Sequence, residues 1–349
     1  MKPLMPFVVA LLSLTGAALR AQNISASTQL KFPAGRRVLA LAGREISGEQ
    51  LEQMLAGSNR EPDVKVAKQL SELELTERLS AAGLARCEAN LRGPDARRAL
   101  IALADRSSFL DPPISEIPNI AEPDPQAQRR MIALSEDYVK KALHQLPNLY
   151  ATRVTISFQH NKKPLHWVST ESAIVRYLDG QEERPRVRTV PVRDGSGAGG
   201  MTTAGEFGPI LYVALVDSAQ GNLTWSHWEQ GAAAPEAVYR YAVIAGKSHY
   251  HVDGQLRGYH GEITVDPSNG TIRRLVLRAD PDPNLSLLRA DIVVEYGPVE
   301  LGGKTYICPL KGVALSATWN RWWLNDVAFE QYHLYQANAQ LLPGFAKVP

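Results

Sequence analysis

Five prolines fall within residues 111–125 (Pro112, Pro113, Pro118, Pro123 and Pro125), and neither a helix interior nor a central strand runs through such a stretch. The segment reads as a stiff, extended linker and divides the chain. Before it, apolar residues recur at helical spacing. After Pro147 they alternate. This switch of period predicts an α+β chain: a small all-α N-terminal domain over 36–110, the linker over 111–125, and a β domain over 126–345.

The helical part shows its starts and stops. Ser47 with Gln50 three residues on is a capping-box pattern, followed by Leu51, Met54 and Leu55. Val66, Ala67, Leu70 and Leu73 make a second stripe, and Leu79, Ala82 and Leu84 a third. Gly93-Pro94-Asp95 ends one helix and opens the next, which carries Leu100, Ile101, Leu103 and Ala104. Beyond the linker, Asp124 caps a helix with Pro125 in its first turn, and Met131, Leu134, Tyr138, Ala142 and Leu146 form its apolar stripe.

The β part begins with Val154, Ile156 and Phe158 alternating with polar neighbours. Ala173, Val175 and Tyr177 follow, then an Asp179-Gly180 hairpin turn and a return strand over Val187–Val192. The glycine-rich loop Gly195–Gly200 lacks the Gly-Lys-Ser/Thr ending of a phosphate loop and reads as flexible linker. A helix is predicted over Pro209–Ser218. Nine further strand candidates follow: Leu223–Glu229, Ala237–Ala245, Ser248–Val252, Tyr259–Val265, Thr271–Arg278, Ala290–Tyr296, Thr305–Cys308, Gly312–Thr318 and Asp326–Ala337. Asp253-Gly254, Asn269-Gly270 and Gly302-Gly303 supply hairpin-type turns. Two helices among so many strands suit one curved antiparallel half-barrel sheet with the helices over its inner side.

Lys2, the apolar run Leu4–Leu19 and the small residues up to Ala21 read as a secretory signal over residues 1–21, so the chain is expected to be exported, periplasmic or extracellular. Asn23, Asn222 and Asn269 each begin a glycosylation sequon, which matters only in a eukaryotic secretory route. Cys87 and Cys308 read as two buried thiols, although export also permits a disulfide. The net charge of +2 argues against a nucleic-acid partner.

Neither a His-Glu-X-X-His nor a Gly-X-Ser-X-Gly motif is present, and no residue is nominated as catalytic; no cofactor is implied. The helix at Pro209–Ser218 is apolar nearly all round. Ile210, Leu211, Val213 and Leu215, with Trp225 and Trp228, are therefore the candidate lining of an apolar or lipid-like ligand site between sheet and helix. Strict alternation puts Trp225 and His227 on one face of their strand and Trp228 on the other, and splits Trp322 from Trp323. His249 and His251 flank Tyr250, with His260 on the next strand, which allows a metal site and a metal-dependent hydrolase as an alternative. Arg273, Arg274, Arg278 and Arg289 read as solvated charges on a sheet face, with an anionic-headgroup site as the minority reading. A second alternative is an envelope structural protein whose N-terminal helices bind a protein partner.

The order of elements and the segment YHGEITVDPSNGTIRRLVLRAD at 259–280 resemble the periplasmic lipoprotein-carrier (LolA/LppX-like) fold, in which a strand ending in Asp-Pro turns into the next strand of the same sheet. Here those residues are Ile263, Val265, Asp266, Pro267, Asn269, Gly270 and Leu275. The resemblance spans about 220 residues and implies a carrier of an apolar guest. The segments EFGPILYVAL, TWSHWEQG, KSHYHV, ADIVVEYGPVELGGKTYICP and LNDVAFEQYHLY are similar to those of uncharacterised secreted bacterial proteins of acidobacterial type, which bring no known activity. The helices before Pro112 lie outside the carrier pattern.

Overall fold

The computed structural model describes residues 43–335, apart from positions 59, 162–163, 184–204, 221, 253 and 283–286. The signal segment 1–21, the strand expected over Val187–Val192, the Gly195–Gly200 loop and the sequon at Asn23 lie outside the described residues.

The N-terminal arm runs β1 (Arg44–Ile46), α1 (Gly48–Gly57), α2 (Asp63–Ser71), β2 (Leu73–Leu75), α3 (Ala81–Ala89) and α4 (Pro94–Ser107). The expected capping box is formed: Gln50 N donates to Ser47 Oγ at 3.2 Å, and Ser47 N donates to Gln50 Oε1 at 2.9 Å. Asp63 accepts from Asp95 N and Ala96 N at 3.0 and 2.9 Å, so a carboxylate from α2 caps α4 in place of the side chain that Gly93 lacks. Leu51, Leu55, Leu70, Cys87, Leu100 and Leu103 build a separate hydrophobic cluster. The arm is not all-α, because β1 and β2 form a short parallel ladder, Arg44 opposite Leu73 to Ile46 opposite Leu75. Three-residue strands are too short to show alternation.

After the linker come α5 (Pro125–Gln145), β3 (Leu149–His160), β4 (His166–Leu178), β5 (Gln181–Glu183), α6 (Pro209–Gln220), β6 (Asn222–Gln230) and β7 (Pro235–Val243). A small hairpin of β8 (His251–Val252) and β9 (Gln255–Leu256) follows. Then come β10 (Tyr259–Val265), β11 (Ile272–Ala279), β12 (Arg289–Leu301), β13 (Lys304–Ala317) and β14 (Trp322–Leu334). Among the described residues, ten strands form one layer in the order β5-β4-β3-β14-β13-β12-β11-β10-β7-β6, every neighbour antiparallel. This order defines an open layer with β5 and β6 at its edges; a half-barrel curl goes beyond what it shows.

Turn chemistry sets the registers. Asp179 and Gly180 both have positive φ (51° and 79°), joining Leu178 to its partner Gln181, and Gly302 and Gly303 do the same (59° and 77°) between Leu301 and Lys304. The two strands expected over Thr305–Cys308 and Gly312–Thr318 are one continuous β13. Pro309 sits opposite Tyr296 where the register shifts, so the bulge absorbs the proline instead of ending the strand. The strand expected over Ser248–Val252 shrinks to β8, because residues 248–250 lie outside any strand.

The two faces of the layer carry different cores. Tyr239, Tyr241, Ile263, Leu275, Leu277, Ile292 and Val294 point toward α5 and α6, meeting Met131, Val139, Ile210 and Leu215. Phe158, Val276, Val293, Val313, Leu315, Trp322 and Leu324 point the other way, against Ala102 and Phe109 of the arm. Of the four arginines read as solvated, Arg273 pairs with Glu236 and Asp266, and the other three are part of this second contact. Arg274 and Arg278 donate to the carbonyls of Ser108 and Phe109, just past the end of α4, and Arg289 lies 5.5 Å from the centre of the Phe109 ring. Sequence shows which face a charge takes, but not that a distant helix covers it. Arg78 pairs with Glu229, and Arg240 bridges Asp111 and Glu262 at 3.0 Å each. Cys87 and Cys308 are both buried free thiols, and burial pushes them up to about 11 and about 12.

Candidate ligand cleft

The start of α5 is fixed from several sides. Asp124 Oδ1 accepts from Gln126 N and Ala127 N, both at 2.8 Å. Trp228 Nε1 donates to Ala121 O at 3.0 Å, and Tyr239 OH donates to Gln128 O at 3.3 Å. The rings of Trp225 and Trp228 meet edge to face at 5.0 Å, so they share a side rather than dividing across the strand. The register of β6 against β7 shifts between Trp225 and His227, and that bulge reverses the parity on which the alternation depended.

Two adjacent rows of side chains run along α5. Met131, Ser135 and Val139 are buried against the sheet. Leu134, Tyr138, Ala142 and, just past the helix end, Leu146 are turned beside them and are only partly covered; Leu134 is 40% exposed. They line a solvent-open cleft of about 300 Å³, completed by Asn269 of the β10–β11 turn and by Thr305, Tyr306 and Ile307 of β13. Asp137, Lys141 and Gln145 add polar groups to its wall. Burial pushes the Tyr138 phenol up to about 12, so it stays protonated and able to donate.

The turn beside this cleft is built tightly. Asp266 accepts from Ser268 N and Oγ at 2.9 and 2.6 Å and from Asn269 Nδ2 at 3.1 Å. Burial opposes its charge, but these hydrogen bonds and Arg273 outweigh burial and hold the carboxyl below its usual range. Gly270 has φ +77°, and a Cβ there would lie 2.3 Å from the Leu134 carbonyl carbon. Only glycine lets the turn press on α5 this closely.

The residues nominated from sequence lie elsewhere. Ile210, Leu211, Val213 and Leu215 are buried in the core between α6 and the sheet. The space beside Leu215, Ile132 and Tyr239 is about 10 Å³, no more than a water-sized gap. Trp225 and Trp228 are half-buried and steady the linker and α5. The cleft instead uses the α5 stripe, whose spacing was legible but which alone says nothing about whether its partner closes over it.

The three histidines are dispersed. His249 Nδ1 lies 2.6 Å from the fully buried Asp217 Oδ1, while its backbone N and Tyr259 OH both donate to Asp217 Oδ2 at 2.8 Å. His251 Nδ1 lies 3.2 Å from the His249 carbonyl, and His260 Nδ1 lies 2.8 Å from Asp280 Oδ1. Among the described residues no group of three His, Cys, Asp or Glu is placed to hold a metal ion.

The fold and site define a class: an α+β protein whose large antiparallel sheet carries helices on both faces and a small amphipathic cleft beside one of them. No protein-family model matches the chain, and no curated protein matches it. Among solved structures, it is similar to a LolA superfamily protein from Nitrosomonas europaea at 8% identity, over 60% of this chain and 94% of the other, with a TM-score of 0.26. So distant a likeness leaves function to be read from the cleft. Among the described residues no helix is long and apolar enough to cross a membrane.

Proposed function

We propose that this is an exported binding protein for a small apolar or amphipathic, lipid-like molecule, held in the cleft between α5 and the β12–β13 end of the sheet. In this reading the sheet bends about α5 and α6 as a half-barrel, and Ile210, Leu211, Val213 and Leu215 form the packed wall behind the guest. The observation that carries the reading is the cleft: its volume of about 300 Å³ combines an apolar surface from Leu134, Tyr138, Leu146 and Ile307 with Asp137, Lys141 and Gln145. Small-molecule sites share that composition, and this one stands at the low end of their usual size of roughly 300–1,000 Å³. An acyl segment would leave water for the apolar surface, worth about 25 cal/mol per Å² buried, while Lys141 meets an anionic end. Binding of this kind needs no bond-making step.

Displacement of a fluorescent fatty acid tests it. Leu134 is partly exposed, so Leu134→Trp fills the cleft without disturbing the core. Wild-type protein is expected to bind the probe, with at least about ten-fold weaker binding in Leu134→Trp, a difference of about 1.4 kcal/mol. No binding by wild type, or equal binding by both, would contradict the assignment.

A further inference from the structure

Asp105 of α4 faces the sheet from within an apolar stretch, and its side chain is fully buried. Lys311 Nζ of β13 stands 2.6 Å from Asp105 Oδ1 and 3.4 Å from Asp326 Oδ1 of β14. Beyond the contact with Lys311, neither oxygen of Asp105 has a hydrogen-bond partner among the described residues. Ala102, Val293, Val313, Leu315 and Leu324 belong to the cluster around this interface. An amine held against a fully buried carboxyl group, with a second carboxylate in reach, is the arrangement that amide condensation requires.

We propose that Lys311 and Asp105 join as an intramolecular isopeptide bond, with Asp326 as the proton acceptor, fixing the N-terminal arm covalently to the sheet. The starting groups are the Lys311 ammonium, the neutral Asp105 acid and the Asp326 carboxylate. Burial first, and the Asp326 charge second, push Asp105 up to about 8, which supplies the neutral acid. Burial disfavours the Lys311 ammonium; the charges of Asp105, while it is ionised, and of Asp326 outweigh burial, and once Asp105 is neutral Asp326 is the nearby charge that still favours the ammonium. The free amine therefore arises only when its proton passes to Asp326, and the reaction is a slow single event.

The amine nitrogen then attacks Cγ of Asp105, the N–C bond forms, and the Cγ–OH bond breaks. The hydroxyl leaves as water, taking up a proton that the nitrogen releases. The products are a neutral secondary amide, one water and protonated Asp326, so charge and protons balance with no added reactant. Glu295 is the remaining carboxylate acting on this group; it lies 3.8 Å from Arg274 and is engaged there.

Peptide mapping of the denatured full chain, after incubation in its folded state, tests the bond. The expected result is a chain lighter by one water, with the peptides containing Asp105 and Lys311 recovered as one joined species. Lys311→Arg and Asp326→Asn are expected at full mass with separate peptides. Separate, unmodified peptides from wild type shown to be folded by circular dichroism would overturn the proposal. So would a water loss confined to one peptide, such as cyclisation at Asp179-Gly180. Undiminished joining in Asp326→Asn would remove the role given to Asp326. The wild-type map decides the bond itself even where a variant does not fold.

Discussion

Glu182 shows how one half-buried carboxyl reports on its surroundings. Its Oε2 accepts from Gly205 N at 3.0 Å and Phe207 N at 3.4 Å, tying the short edge strand β5 to the entry of α6. Glu206 lies buried nearby, 3.4 Å from Arg153. Burial, then the Glu206 charge, push Glu182 from 4.5 up to about 8, against the two backbone donors and Arg153. A raised carboxyl stabilises the folded state fully below its unfolded value near 4.5, and that contribution is lost as pH rises through about 8. Glu182→Gln keeps an oxygen for the two N–H groups and does not titrate. Thermal melts are therefore expected to favour the variant increasingly from about pH 5 to about pH 9, by roughly 2–4 kcal/mol at the upper end. A constant difference across that range would place the proton elsewhere.

At the scale of elements, the β10–β11 turn presses on α5 at Gly270. Gly270 and Gly303 share φ +77°, so both carry the same conformational strain when alanine is introduced. They differ in space: a Cβ at Gly303 meets nothing within 4 Å, whereas one at Gly270 collides with the backbone of Leu134. Gly303→Ala is expected to cost about 1–2 kcal/mol, and Gly270→Ala at least about 2 kcal/mol more because the turn must back away from the helix. Denaturant unfolding of both separates strain from collision; equal losses would show that the turn yields freely.

The same scale explains what the sequence made legible. Period and capping located α1, α4, α5 and α6 within a few residues, because caps and stripes are local. Paired positive-φ turns fixed two hairpins for the same reason. The strand at Trp225–Trp228 misled because one bulged residue inverts parity, and β13 misled because a bulge accommodates Pro309. The α5 stripe was legible as a helix face but not as the wall of a cleft, since an opening depends on how far β13 stands from the helix, which no local pattern encodes.

Across the whole molecule, the arm closes a face of the sheet that would otherwise expose Val293, Val313, Leu315 and Leu324. Arg274, Arg278 and Arg289, which looked like surface charges, are the polar half of that contact, and the Ser108 and Phe109 carbonyls that Arg274 and Arg278 reach lie more than 150 positions away in sequence, whereas Arg273 pairs with Asp266 and with Glu236 of the sheet. Deleting residues 22–110 is expected to leave a β domain that binds an apolar dye and elutes as aggregate in gel filtration. A monomeric deletion product with an unchanged melting temperature would show that the arm is dispensable to the sheet.

The helices cover one face of the layer around β7 and β10–β12, and the arm covers the other around β11–β14. A guest in the proposed α5 cleft would sit beside the tight turn at Asn269 and residues 305–307 of β13. The stiffness of that turn would then set how wide the proposed cleft opens.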